Sequence, residues 1–226
     1  MKIIDITGPI YSNMWNFGFP DGQFRIMELD FEFLGHRYFH EGFLGLVGTT
    51  GTYIETGATY HGYKKTIPTH KIPLERLVNI DSYVIDLNLV NLPERDNRKY
   101  IRKKDITSAE KGIIPDGRSI IICTGHSDED WDSKDYVDKS PYFSRDALFY
   151  LLDKNPNLLA SDFPTWENRL NPENTLERMY SSDVIILANC MNLKKINNYN
   201  VKLTAVPLNI INVSTCPARA FVIEED

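Results

Sequence analysis

The sequence is poor in cysteine, in histidine and in long apolar runs. Its three cysteines, Cys123, Cys190 and Cys216, stand far apart with no CxxC pair among 226 residues. That spacing argues against a disulfide framework and points to a reducing compartment, so a cytoplasmic location is expected. No run approaches the ~18 apolar residues that a membrane span needs. The stretch Met1–Ile10 is broken by Lys2, Asp5 and Gly8-Pro9, far short of the apolar stretch of a signal peptide. Basic charge is also not in excess: 25 Lys+Arg stand against 31 Asp+Glu, a formal net charge of -6, so nucleic acid is not an expected partner. The densest basic cluster, Arg98, Lys99, Arg102, Lys103 and Lys104, lies between Asp96 and Asp105 and reads as a solvated loop and helix entrance. Repeats, low-complexity tracts and Gly/Ser linkers are missing too, so residues 1–226 read as a single domain.

What is present is a succession of short apolar runs rich in β-branched residues, each bounded by turn residues. This is the pattern of strands. Strands are expected near Lys2–Ile6, Gln23–Phe33, Leu44–Val47, Thr52–Glu55, Tyr83–Asn88, Ser119–Cys123, Leu158–Ser161, Asp183–Asn189, Val201–Pro207 and Arg219–Glu224. Helices are few. One is expected from Thr107, with Glu110 completing a capping box. Another follows Ser144 as N-cap, with Asp146 in its first turn and an apolar stripe of Ala147, Leu148, Leu151 and Leu152. A third runs from about Pro172 to Tyr180. The class is therefore mixed α/β with strands in the majority.

The stretch Thr49-Thr50-Gly51-Thr52-Tyr53-Ile54-Glu55-Thr56-Gly57 carries the chemistry. Small residues and glycines let the backbone approach a ligand, while Tyr53 and Glu55, two apart on a strand, point to one side. A carboxyl group shielded from water keeps a raised pKa and can exchange a proton with a nearby Tyr or His. Other readings stand beside these: a packed strand aromatic for Tyr53, and for Glu55 a buried carboxylate paired with an arginine such as Arg219. Cys123 inside Ile120-Ile121-Ile122-Cys123 reads as a small core residue more readily than as a nucleophile paired with His126. Trp15 and Phe17, flanked by Asn13, Asn16 and Gly18, read as loop aromatics facing a ligand or a partner chain. Trp131 and Trp166 sit in polar stretches and are weaker candidates for the same task.

This segment resembles the metal-dependent cyclase family that includes kynurenine formamidase and isatin hydrolase, whose signature is His-x-Gly-Thr-His-x-Asp-x-Pro-x-His. Further segments fall in the family's order: Met1–Ile10, Ile72–Val78, Val84–Leu87, Ile122–His126, Ser161–Pro164, Val184–Asn189, Thr204–Leu208 and Cys216-Pro217-Ala218-Arg219. The resemblance implies the cyclase fold, a strand-rich mixed sheet or barrel with few peripheral helices, and the family's habit of homodimers or homotetramers. Aligned on Gly51-Thr52, it puts Thr49 and Tyr53 where two metal-binding histidines belong, Glu55 at the aspartate, Gly57 at the proline and Thr59 at the proton-transferring histidine. A two-residue slip would instead bring His61 to that last position. The family's later histidine falls on Leu176 and its glutamate on Ala188. Cys216 lines the pocket if the family's geometry holds.

Only Glu55 keeps a ligand-type side chain among these positions, whereas zinc takes about four ligands. The expectation is therefore an enzyme without a metal cofactor, with zinc or manganese only if other residues rebuild the site. Glu55, Tyr53 and His61 would perform acid/base chemistry on a small cyclic, amide or carbonyl compound. Trp15, Phe17, Thr49, Thr59 and Cys216 would line its pocket. Two alternatives accompany it: a non-catalytic binder of a small molecule or protein on the same fold, and a metal-dependent arylformamidase-like amide hydrolase.

Overall fold

A computed structural model describes residues 1–19, 22–62 and 66–225. In chain order the strands are β1 (Lys2–Asp5), β2 (Arg25–Phe33), β3 (His36–Leu44), β4 (Tyr53–Glu55), β5 (Ile80–Asp86), β6 (Glu94–Arg95), β7 (Arg98–Ile101), β8 (Ser119–Cys123), β9 (Tyr142–Phe143), β10 (Leu158–Ser161), β11 (Ile185–Ala188), β12 (Asn200–Pro207) and β13 (Thr215–Glu224). The helices are α1 (Ala58–His61), α2 (Lys103–Ala109), α3 (His126–Asp130), α4 (Arg145–Leu152) and α5 (Leu176–Ser181). None of the described helices is long and apolar enough to cross a membrane.

The main sheet runs β1-β13-β12-β5-β8-β10-β11-β4, and β4 pairs again with β13. That second pairing closes seven strands into a ring, because β13 is long enough to hold β4 along Thr215–Pro217 and β1 along Phe221–Glu224 of the same edge. Strands β5, β8, β10 and β11 are mutually parallel, and the remaining neighbours in the ring are antiparallel. The mixed α/β architecture with a barrel-like sheet and few helices agrees with the expected fold.

Alternation along each strand divides the apolar residues into two layers. Ile54, Val84, Ile121, Leu158, Ala160, Ile185, Leu187, Leu203, Ala205 and Val222 fill the inside of the ring. Tyr53, Ile85, Ile120, Ile122, Leu159, Ile186 and Ala188 face outward and are covered by Ile106 of α2, by Ala147, Leu148, Leu151 and Leu152 of α4, and by Met179 of α5. Tyr53 and Glu55 thus stand on the outer face of the barrel, under the layer of helices and loops.

Several expected elements shift. The strand read at Leu44–Val47 is instead the end of β3, which Gly45 terminates with a positive φ of 64°. Helix α2 begins at Lys103, because Asp105 accepts the Arg102 backbone N–H at its entrance, while Glu110 lies past its end and accepts the Tyr150 hydroxyl. Ser144 does precede α4, but its hydroxyl bonds Ile101 O and Asp146 and caps no helical N–H. Helix α5 starts later than read, at Leu176, where Glu167 accepts the Thr175 N–H. Within the basic cluster, Arg98 is buried. Its guanidinium donates to Ser140 O and Thr165 Oγ1 and lies over the Tyr142 ring, so it ties distant loops together.

Candidate active site

Strand β4 is three residues long and is held on both sides: Glu55 stands opposite Ile186 of β11 and Thr215 of β13, and Tyr53 opposite Ala188 and Pro217. Opposite residues in an antiparallel pair share a face. The chain then turns into α1, which packs against α5. This places Thr59 of α1 and Tyr180 of α5 next to the Glu55 carboxyl, and both hydroxyls donate hydrogen bonds to it. Leu176 and Tyr180, one helical turn apart, present the same face of α5.

These residues line one cavity of about 450 Å³, with Phe17, Phe19 and Thr49 on one wall and the segment Pro164–Arg169 on another. Burial of the Glu55 carboxyl is the dominant influence on it and pushes its pKa up to about 7, against the opposing pull of the Thr59 and Tyr180 hydrogen bonds. The same burial, with the Glu55 charge nearby, holds the Tyr53 and Tyr180 phenols well above their ordinary range. A second carboxyl, Glu167, lines the same space. Two buried polar atoms on its lining residues, Thr49 Oγ1 and Trp166 Nε1, make no hydrogen bond.

Of the residues singled out in the sequence, Glu55, Tyr53, Thr49, Thr59, Phe17 and the weaker candidate Trp166 meet at this cavity. Trp15 stands one ring away from its wall, edge-on to Phe17 at 5.9 Å and stacked on Tyr136 at 4.3 Å. His61 turns from the cavity and hydrogen-bonds Ser181 Oγ at 2.8 Å. Cys216 stands opposite Ile54, on the other face of the sheet from Glu55, and its thiol contacts Leu208 O at 3.4 Å. Arg219 pairs with Asp5, away from Glu55. Cys123 is buried and His126 bonds Tyr136 O. Tyr180 and Glu167 were not singled out. Tyr180 carried one signal, its i, i+4 relation to Leu176, a position already marked by the resemblance.

The chain is matched by the model of the family described as "Putative cyclase" over residues 4–168. It belongs to that cyclase family. A comparison with curated proteins finds no match. Among solved structures, an isatin hydrolase bound to the product analogue thioisatinate superposes with a TM-score of 0.81 at 19% identity, covering 100% of this chain and 93% of the other. The isatin hydrolase A from Labrenzia aggregata gives 0.77 at 18% identity, with 98% and 93% covered. A "predicted metal-dependent hydrolase" from Bacillus stearothermophilus gives 0.72 at 25% identity, with 98% and 97% covered.

Metal dependence among such neighbours asks whether the residues here fit an ion. The positions that the family alignment assigns to ligands are still gathered in space: Thr49, Tyr53, Glu55 and Leu176 line the cavity, and Ala188 stands across from Tyr53. Their chemistry is a hydroxyl, a phenol, one carboxyl and two hydrocarbons. Among the described residues no three His, Cys, Asp or Glu side chains converge to hold a metal ion. This donor set does not fit the family's metal.

Proposed function

We propose that this cyclase-family protein is an enzyme that performs acid/base chemistry on a small cyclic, amide or carbonyl compound without passing through a metal. One observation carries the reading: a buried carboxyl with a pKa of about 7, hydrogen-bonded by two hydroxyls, faces a cavity large enough for a ring system. A group titrating near neutrality is present in both protonation states at once, which is what a residue that takes and then returns a proton requires. Tyr180 and Thr59, by donating to it, hold Glu55 as the carboxylate, which takes the proton from carbon or from an attacking water and so becomes the neutral acid that later returns it. Tyr53, whose phenol stays protonated, can donate to an oxygen on which charge develops. Phe17, Trp166 and Leu176 give the flat apolar surface that suits a ring. The unpaired Thr49 Oγ1 and Trp166 Nε1 remain for polar groups of the ligand or for bound water. Three unpaired, buried cysteines suit the reducing setting of the cytoplasm.

The test is a panel of cyclic imides, lactams, N-formyl amines and β-hydroxy carbonyl compounds, assayed in chelator by the change in absorbance on ring opening or dehydration. The reading expects turnover that survives chelation and falls by about 10²–10⁴-fold in Glu55→Gln, the usual span for losing a general acid/base. Ligand affinity should change little. Turnover that appears only on adding zinc or manganese, with one equivalent bound by elemental mass spectrometry, would overturn it. Binding of panel compounds without turnover, unaffected by Glu55→Gln, would identify a binder on the same fold.

A further inference from the structure

Four carboxyl groups are buried among the described residues: Glu55, Asp162, Glu167 and Glu224. A carboxyl taken out of water needs hydrogen-bond donors or a cation in exchange, and the fold supplies these unequally. Asp162 accepts the Thr124 and Gly125 backbone N–H groups at 2.8 and 2.6 Å and the Thr124 hydroxyl at 2.7 Å. Glu224 accepts the Asn197 and Asn198 N–H groups on one oxygen, and its other oxygen stands 3.2 Å from Lys2 Nζ. Both of these groups are saturated, and both lie away from the cavity. Glu167 differs. It is 8% exposed and receives one bond, from the Thr175 N–H to Oε1 at 3.0 Å. Its Oε2 has neither a donor nor a cation among the described residues, and the side chain lines the cavity that holds Glu55.

Holding Thr175 at the start of α5 does not account for an acid at this position. A glutamine carbonyl would accept the same N–H and bring no ionisable group into the interior. The side chain is also firmly mounted, because the residues on both sides of it are tied down. Thr165 N–H donates to Ser140 Oγ at 3.2 Å, Phe143 N–H to Trp166 O at 3.2 Å, and Asn168 Nδ2 to the Tyr142 hydroxyl at 3.1 Å. The Trp166 ring stacks on Phe143 at 5.7 Å. Arg169 is the one Lys or Arg among the described residues that line the cavity, and its half-exposed guanidinium pairs with Asp138 at 3.6 Å. Glu167 is therefore a buried acid with one free oxygen, in a space that Phe17, Phe19 and Trp166 also line. Aromatic faces attract cations as well as rings.

We propose that Glu167 sets the specificity of this cavity and that it selects a cation: the ring compound acted on at Glu55 carries a protonated amine, which Glu167 Oε2 receives. The inference rests on the reading of Glu55 as the acid/base group and adds to it the charge of the substrate. A neutral ring leaves Oε2 buried without a partner, whereas an ammonium N–H donates to it and offsets its charge. The two acids then divide the work. Glu55 exchanges the proton, and Glu167 fixes how the ring lies against Glu55. An anionic ring is rejected by the same carboxyl.

Calorimetric titration with benzylammonium and with benzyl alcohol, a neutral probe of the same size, reads this without any turnover. Wild type should bind the amine more tightly by about 10–100-fold, the span of one charge-assisted hydrogen bond. Glu167→Gln should bring the ratio of the two affinities close to one, and Glu55→Gln should keep it. Circular dichroism checks that each variant is folded, and the wild-type ratio depends on no variant. Among compounds that are turned over, an aminomethyl group in place of methyl should lower KM by the same factor in wild type. Glu167→Gln should abolish that difference in KM while the two kcat values stay in their wild-type proportion. Equal binding of the two probes by wild type would overturn the proposal. So would an amine preference that survives Glu167→Gln, or a failure of benzylammonium to bind at millimolar concentration. An amine preference lost in Glu167→Gln, with no compound of either kind turned over, would uphold the cation site and sink the acid/base reading of Glu55 instead.

Discussion

Replacing Glu55 by glutamine removes the charge and keeps the shape, and burial alone sets the expected sign of the effect. The carboxyl titrates at 4.5 in an unfolded chain and at about 7 in the folded protein. Between those values the native state holds a proton that the unfolded state has released, so stability falls as pH rises. The contribution is fully present below about pH 4.5 and is lost as pH climbs through about 7, because above it the folded protein must keep a buried carboxylate. A shift of about 2.5 units at 1.36 kcal/mol each gives about 3 kcal/mol over the whole range. Glutamine is neutral at every pH and carries no such penalty.

Urea unfolding of wild type and Glu55→Gln at about pH 5 and pH 9 reads the difference directly, because every other titrating group is common to both proteins. Near pH 5 the two should differ little. Near pH 9 the glutamine variant should be the more stable by up to about 3 kcal/mol, an increase produced by deleting a group proposed to be central to function. Parallel pH profiles, or a variant less stable at high pH, would show that Glu55 stays ionised in the fold, and its role as a neutral-pH acid and base would fall with it.

Tyr180→Phe removes a donor that favours the Glu55 carboxylate, so the midpoint of the Glu55 titration, followed by carbon NMR of the side-chain carboxyl, should move further up from about 7. Ile54→Ala empties a fully buried position inside the ring and should cost about 2–5 kcal/mol in urea unfolding. Arg98→Met leaves Ser140 O and the Thr165 hydroxyl without their charged donor, and should cost about 2–4 kcal/mol by the same measurement. A neutral result there would mean that the buried guanidinium contributes no net stability.

Much of the barrel was legible because its strands alternate or run apolar between turn residues. Leu158–Ser161 and Ser119–Cys123 fall where the pattern put them, since a buried parallel strand announces itself by an unbroken apolar run. The shared side of Tyr53 and Glu55 followed from strand period alone. Tyr180 reaches Glu55 only through the packing of α5 on α1, and Glu167 reaches the same cavity only through a long loop, and no local spacing records contacts of that range. Arg98 hid for the same reason: its partners Ser140 and Thr165 lie more than forty residues away, so its neighbours in sequence made it look solvated. The ribbon of β2 and β3, exposed along nearly its whole length, read as an ordinary strand at Gln23–Phe33, because alternation tells which residues share a face but not whether anything covers it.

The same alternation keeps the packing of the barrel and the lining of the cavity on different residues of one strand. On β4 and β11 the residues next to the positions that the resemblance aligns with ligands, Ile54 and Leu187, point into the ring and stand opposite each other. The ligand positions themselves, Tyr53, Glu55 and Ala188, face outward to the cavity and its apolar lining. Substitution on the outer face therefore changes which protons and ligands the cavity can handle without opening a hole inside the barrel. The contrast between Ile54→Ala and Glu55→Gln follows from this one-residue offset. The inward residue carries packing energy, whereas at high pH the outward one costs the fold energy, which is a state that burial imposes and that packing alone gives no reason to keep.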